Sequence, residues 1–137
     1  MSDIKNIKTT DRKPLFVLTG IVVAGNKAGR TVGMPTANLK AKEDISSLCH
    51  GVYAVVVGVG RQKYYGITHI GMRPSVDDSE KVTVETYIFR FDKDLYGKEM
   101  TIFAHKYILP TIAFDSLEDV KSQVDTDISE AKAFFGI

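Results

Sequence analysis

The chain has 137 residues, is 44% hydrophobic and 26% charged, and carries a formal net charge of +1. That length fits one domain with a core of its own, and the balanced charge argues against nucleic acid or a membrane surface as partner. One cysteine, Cys49, excludes an internal disulfide and points to a reducing, cytoplasmic setting; no apolar run approaches the ~20 residues of a membrane helix.

Residues 1–13 are polar and lysine-bearing, which suits a flexible arm ahead of a single domain over 14–137. LFVLTGIVVAG (15–25) is rich in β-branched and aromatic residues and reads as a strand. Residues 25–50 combine a glycine loop, Pro35 and the polar KAKEDISS, the composition of a long functional excursion. GVYAVVVGVG (51–60) is a strand, turned by RQK toward YYGITHIG (64–71), and RPSVDDSEK (73–81) is a polar loop. KVTVETYIFRF (81–91) is the longest strand candidate; DKDLYGK (92–98) turns into EMTIFAHKYIL (99–109). Leu117, Val120, Val124, Ile128, Ala131 and Phe134 then recur every three or four residues, lining one face of a helix. Ser116 with Asp119 has the spacing of a capping box. Five or six closely spaced strands and one amphipathic helix predict a small antiparallel barrel closed by that helix.

AGRTVGMPTAN (28–38) is the least ordinary stretch. It is not a Walker loop, being one residue short with Arg30 where lysine belongs. It is not a dinucleotide fingerprint either, since Gly25, Gly29 and Gly33 are spaced by four. Glycine amides can still approach an anion closely, and Lys27 and Arg30 add positive charge beside them. The plainer alternative is a surface turn with solvated cations. Pro35 steers the chain into an extended segment in which Thr36 and Asn38 share one side. Both carry the oxygen donors magnesium prefers, with nucleotide phosphate needed to complete the shell; the alternative is local backbone bonding.

Glu85 is the second anomaly. Strand alternation groups it with Thr83, Tyr87, Phe89 and Phe91 on one face. A carboxylate among aromatics is expected to hold its proton more tightly and to suit a general base, unless that face meets solvent or a lysine. His50, His69 and His105 lack the spacing of a zinc site, and adjacent Cys49 and His50 point apart.

GIVVAGNKAGRTVGMPTANL, GVYA, HIGMRPS, VETYIFRFDKDLYGK and FDSLEDVKSQVDTDISEAK, in that order, resemble the riboflavin kinase (flavokinase) family over about residues 18–134. The resemblance implies a mainly β fold, a six-stranded antiparallel Greek-key β-barrel with a C-terminal amphipathic helix. It implies transfer of the γ-phosphate of ATP to the ribityl 5′-hydroxyl of riboflavin, giving FMN and ADP, with magnesium. By motif, Thr36 and Asn38 match metal and phosphate ligands, and the loop from Gly25 through Lys27, Gly29 and Arg30 to Thr31 matches a flap over the nucleotide. Glu85 matches the catalytic base, and Asp94 and Tyr96 lie where the nucleotide end is bounded. His69 stands where the family usually has Asn. Leu109-Pro110-Thr111 replaces a common Arg-Pro-Glu in a loop associated with flavin binding. The departure at Leu109 and Thr111 frames the alternative reading, a flavin- or nucleotide-binding sensor without turnover. Bacterial members commonly carry an upstream domain that makes FAD from FMN. About fourteen residues precede the barrel here, so a kinase module alone, stand-alone or trimmed and monomeric, is expected.

Overall fold

The computed structural model describes residues 13–23, 36–74, 80–91, 93–110 and 117–137. Its elements are β1 (Phe16–Val23), β2 (Ala37–Ala41), β3 (Gly51–Val59), β4 (Gln62–Pro74), β5 (Glu80–Ile88), β6 (Glu99–Leu109) and α1 (Leu117–Phe135). The six strands close into a barrel in the order β1-β2-β5-β4-β3-β6, and every neighbouring pair is antiparallel. Hairpins join β3, β4 and β5, while β2 lies beside β5 and β6 returns beside β3. That is Greek-key order, as expected.

Burial explains the sequence texture. In β1 buried positions alternate with more open ones, because one face lines the barrel and the other faces outward. β3 is apolar almost throughout because both its faces are covered. Tyr53, Val55 and Val57 point into the barrel with Leu18, Ile70, Val84, Met100 and Ile102. Val52, Ala54 and Val56 point outward, where Ile67 and Phe89 join Ala131 and Phe135 of α1. Burying a side chain of this kind contributes about 1.5–3 kcal/mol, so α1 is held chiefly by its apolar face.

Several boundaries differ from expectation. The first hairpin turns at Gly60 and Arg61, not over residues 61–63, since Val59 pairs with Gln62. Gly60 has φ 59°, the positive value the first position of a type II′ turn requires. The polar loop over 73–81 is shorter than expected: pairing continues to Pro74 and Glu80, so the ladder extends into the polar stretch from both sides. Phe91 leaves the face of Glu85 and packs on the inner cluster against Tyr64, ring centroids 4.9 Å apart. The cause is the end of β5 at Ile88 and a turn in which Arg90 takes φ 55°, which breaks alternation. Ser116, the expected helix cap, lies outside the described residues.

The excursion between β2 and β3 is tied down at both ends. Glu43 accepts hydrogen bonds from the Thr19 amide at 2.8 Å and the Thr19 hydroxyl at 2.7 Å, which hold its carboxyl below the usual range. Tyr53 donates its hydroxyl to the carbonyl of Cys49, and burial pushes the phenol up to about 12. Tyr107 donates to the carbonyl of His50 at 2.9 Å. Gly20 permits close approach of β1 and β2: a β-carbon there would lie 1.9 Å from the carbonyl oxygen of Lys40.

Candidate active site

The strand register builds the site. Asn38 of β2 pairs with Val23 of β1 and with Glu85 of β5. Glu85 pairs with His69 of β4, His69 with Val52 of β3, and Val52 with Leu109 of β6. One row, Val23–Asn38–Glu85–His69–Val52–Leu109, therefore crosses all six strands. Adjacent strands lie about 4.8 Å apart, so Asn38 and His69 flank Glu85 at one strand spacing on each side. Val84, Ile88 and Ile70 belong to the inner cluster, so Glu85 and His69 point the other way, to the outer face of the barrel. Glu85 is 9% exposed, which removes the alternative of a solvent-facing carboxylate.

Row ends matter as much as its middle. Val23 is the last residue of β1, and Thr36, half-buried, stands immediately before β2. Alternation places Thr36 on the side of Asn38. At the other end Leu109 closes β6 against Gly51, where a β-carbon would meet the Leu109 carbonyl oxygen at 2.4 Å. The row thus runs from the strand ends that flank residues 24–35 to the start of the connection into α1.

Asp94 and Tyr96 lie in the turn between β5 and β6. The Tyr96 amide donates to Asp94 Oδ1 at 2.9 Å, and the Tyr96 ring is 66% exposed. Leu95 between them is buried in the barrel core. Gly97 donates to the carbonyl of Val22 at 2.8 Å, and Val22 donates to that of Lys98 at 2.9 Å. The turn is therefore stitched to the end of β1, beside the partner of Asn38. The structure brings Thr36, Asn38, Glu85, Asp94 and Tyr96 to neighbouring strand ends and rungs. Gly25, Lys27, Gly29, Arg30, Thr31 and Thr111 lie outside the described residues.

Beneath the row is a second pair. Thr68 and Thr86, next in sequence to His69 and Glu85, place their hydroxyls 2.8 Å apart inside the barrel, 0% and 1% exposed. Sequence reasoning also missed Asp127, which is 2% exposed on the apolar face of α1 and accepts from Gln123 Nε2 at 2.9 Å. Burial pushes its carboxyl up. The available signal was spacing: Asp127 falls three residues after Val124 and four before Ala131, inside the apolar stripe.

The fold and site define a Greek-key barrel that carries a buried carboxylate beside a carboxamide on the outward-facing side of two paired strands. Residues 13–135 match the family model described as Flavokinase: Riboflavin kinase, and the chain belongs to that family. It is 33% identical over 120 residues to a Listeria monocytogenes bifunctional riboflavin kinase/FMN adenylyltransferase, covering 88% of this chain and 38% of the relative. The chain thus spans well under half of that protein. A Streptococcus pneumoniae structure named macrolide-efflux protein superposes with a TM-score of 0.77 and 34% identity, covering 87% of this chain and 38% of that one. A riboflavin kinase structure from Trypanosoma brucei superposes with a TM-score of 0.63 and 24% identity, over 86% of this chain and 78% of the other, which supports the fold. Among the described residues no helix is long and apolar enough to cross a membrane.

Proposed function

We propose that the chain transfers the γ-phosphoryl group of ATP to the ribityl 5′-hydroxyl of riboflavin, yielding FMN and ADP. The observation that carries this reading is the rung on which Asn38 lies directly beside the buried Glu85. Phosphoryl transfer asks mainly for positioning and charge neutralisation, with one group to accept the hydroxyl proton. Glu85 takes that proton as the 5′-oxygen forms its bond to the γ-phosphorus. The bond from that phosphorus to the β–γ bridging oxygen breaks, and ADP leaves with the electron pair. A buried carboxylate is suited to the role because it has little water to compete for the proton.

The donor set fits magnesium. The Thr36 hydroxyl and Asn38 carboxamide are hard oxygen ligands, and no group of three or more His, Cys, Asp or Glu gathers among the described residues. Thr36 and Asn38 would hold the ion together with nucleotide phosphate oxygens, and it would neutralise phosphate charge. The turn bearing Asp94 and Tyr96, stitched to β1, bounds the nucleotide end. Gly25, Lys27, Gly29, Arg30 and Thr31 are assigned to the cover over its phosphates. Riboflavin enters from the Leu109 side of the row. The chain acts as a cytoplasmic monomer on these small molecules.

The test is FMN formation from riboflavin and ATP by the purified chain, followed by chromatography across a magnesium titration. The reading requires FMN that depends on both ATP and magnesium; absence of FMN at every magnesium concentration overturns it.

A further inference from the structure

His69 occupies the rung on the far side of Glu85 from Asn38. Residues directly opposite in an antiparallel pair have β-carbons about 4.5–5.5 Å apart, within reach of an imidazole and a carboxylate. The opposite neighbour of His69 is Val52, an apolar residue of the cluster beneath α1. The diagonal neighbours on β3 and β5 include Ala54, Thr83 and Tyr87. Among titratable groups nearby, β5 carries Glu80, Lys81, Glu85 and Tyr87, His50 precedes β3, and α1 carries the buried Asp127, which is bonded by Gln123. Of these, Glu85 alone shares the rung of His69. Glu85 thus has a carboxamide on one side and an imidazole on the other.

We propose that His69 is a positioning residue of the reaction centre: it donates a ring N–H to one oxygen of Glu85 and leaves the other oxygen aimed at the substrate hydroxyl on the Asn38 side. A carboxylate on a flexible two-carbon stem has several rotamers, and only some reach toward Asn38. A donor fixed on the neighbouring strand selects among them without touching the substrate. Misplacement of a reacting group by about 1 Å costs on the order of 100-fold in rate, so such a donor governs kcat rather than binding. The inference rests on the reading of Glu85 as the group that takes the hydroxyl proton.

The experiment has two arms. In the first, FMN formation is compared for wild type, His69→Leu and His69→Asn. The leucine variant loses about 10–100-fold in kcat, as removal of an orienting partner does, with KM for riboflavin and ATP within about threefold. His69→Asn, which keeps an N–H donor, restores kcat to within about threefold of wild type. In the second arm, NMR follows the His69 ring through its titration in wild type and Glu85→Gln. Removing the neighbouring carboxylate lowers the His69 midpoint by about one pH unit or more. Wild-type kcat in His69→Leu, failure of His69→Asn to restore turnover, or a His69 midpoint indifferent to Glu85→Gln each overturns the proposal. The NMR arm needs no turnover, so it decides the pairing even where His69→Leu fails to fold. It also separates the two readings: a wild type that makes no FMN refutes the kinase assignment, while an unmoved midpoint refutes the role of His69.

Discussion

The hydroxyl pair beneath the row offers a quantitative test of how the barrel supports its outer wall. Thr68 and Thr86 are each other's hydrogen-bond partners at 2.8 Å and are 0% and 1% exposed. Valine has nearly the volume and branching of threonine, so Thr86→Val removes the hydroxyl and little else. The Thr68 hydroxyl is then buried without its partner, at a cost of about 1–3 kcal/mol. Thr68→Val costs a similar amount for the same reason. Replacing both leaves two apolar side chains of unchanged shape and is nearly neutral. A double-mutant cycle by urea denaturation should therefore show strong coupling, with the double variant more stable than either single one. In thermal scans each single variant falls by roughly 3–5 °C per kcal/mol lost, given the chain length. The double variant should also make FMN at close to the wild-type rate, because neither hydroxyl faces the row. A double variant as unstable as the sum of the singles would refute the mutual pairing.

Asp127→Asn tests the buried carboxyl of α1, whose proton affinity is raised by burial. A raised carboxyl favours the folded state while protonated, so that favour is lost as pH rises through the folded value. The asparagine keeps an acceptor for Gln123, so its midpoint in thermal scans should exceed wild type at neutral pH. The gap should close as pH falls toward the ordinary aspartate value of about 3.9; a variant less stable at neutral pH would contradict this. Arg90 adopts φ 55° at an exposed position, a left-handed conformation that costs a side chain about 1–2 kcal/mol. Arg90→Asn should raise the urea midpoint modestly, since asparagine tolerates that region, and a lowered midpoint would count against strain there.

Local pattern carried much of this fold. β6 was legible to the residue at 99–109, because buried Met100, Ile102 and Ala104 alternate with more open positions over its first half. α1 was legible from its stripe, although Phe135 rather than Phe134 is the more deeply buried ring. β2 was harder: ANLKA contains Asn and Lys, which strands disfavour, and its pairing with β5 joins residues far apart in sequence. Asn38 and Glu85 could each be singled out by residue type, but their shared rung depends on register across the barrel, which no local pattern encodes. The significance of His69 is hidden for the same reason: it lies in what stands opposite, not in its own spacing. Strand alternation puts Phe91 on the wrong face because the left-handed turn at Arg90 is held by an unusual residue for that conformation.

The central claim is that the Asn38–Glu85 rung is where phosphoryl transfer occurs. Its most direct test is Glu85→Gln, an exchange that keeps shape and hydrogen bonding while removing the proton acceptor. With ATP, magnesium and riboflavin at saturation, FMN formation should fall by about 100-fold or more, while calorimetry shows nucleotide affinity within about threefold of wild type. A Glu85→Gln enzyme that forms FMN at the wild-type rate would contradict the account.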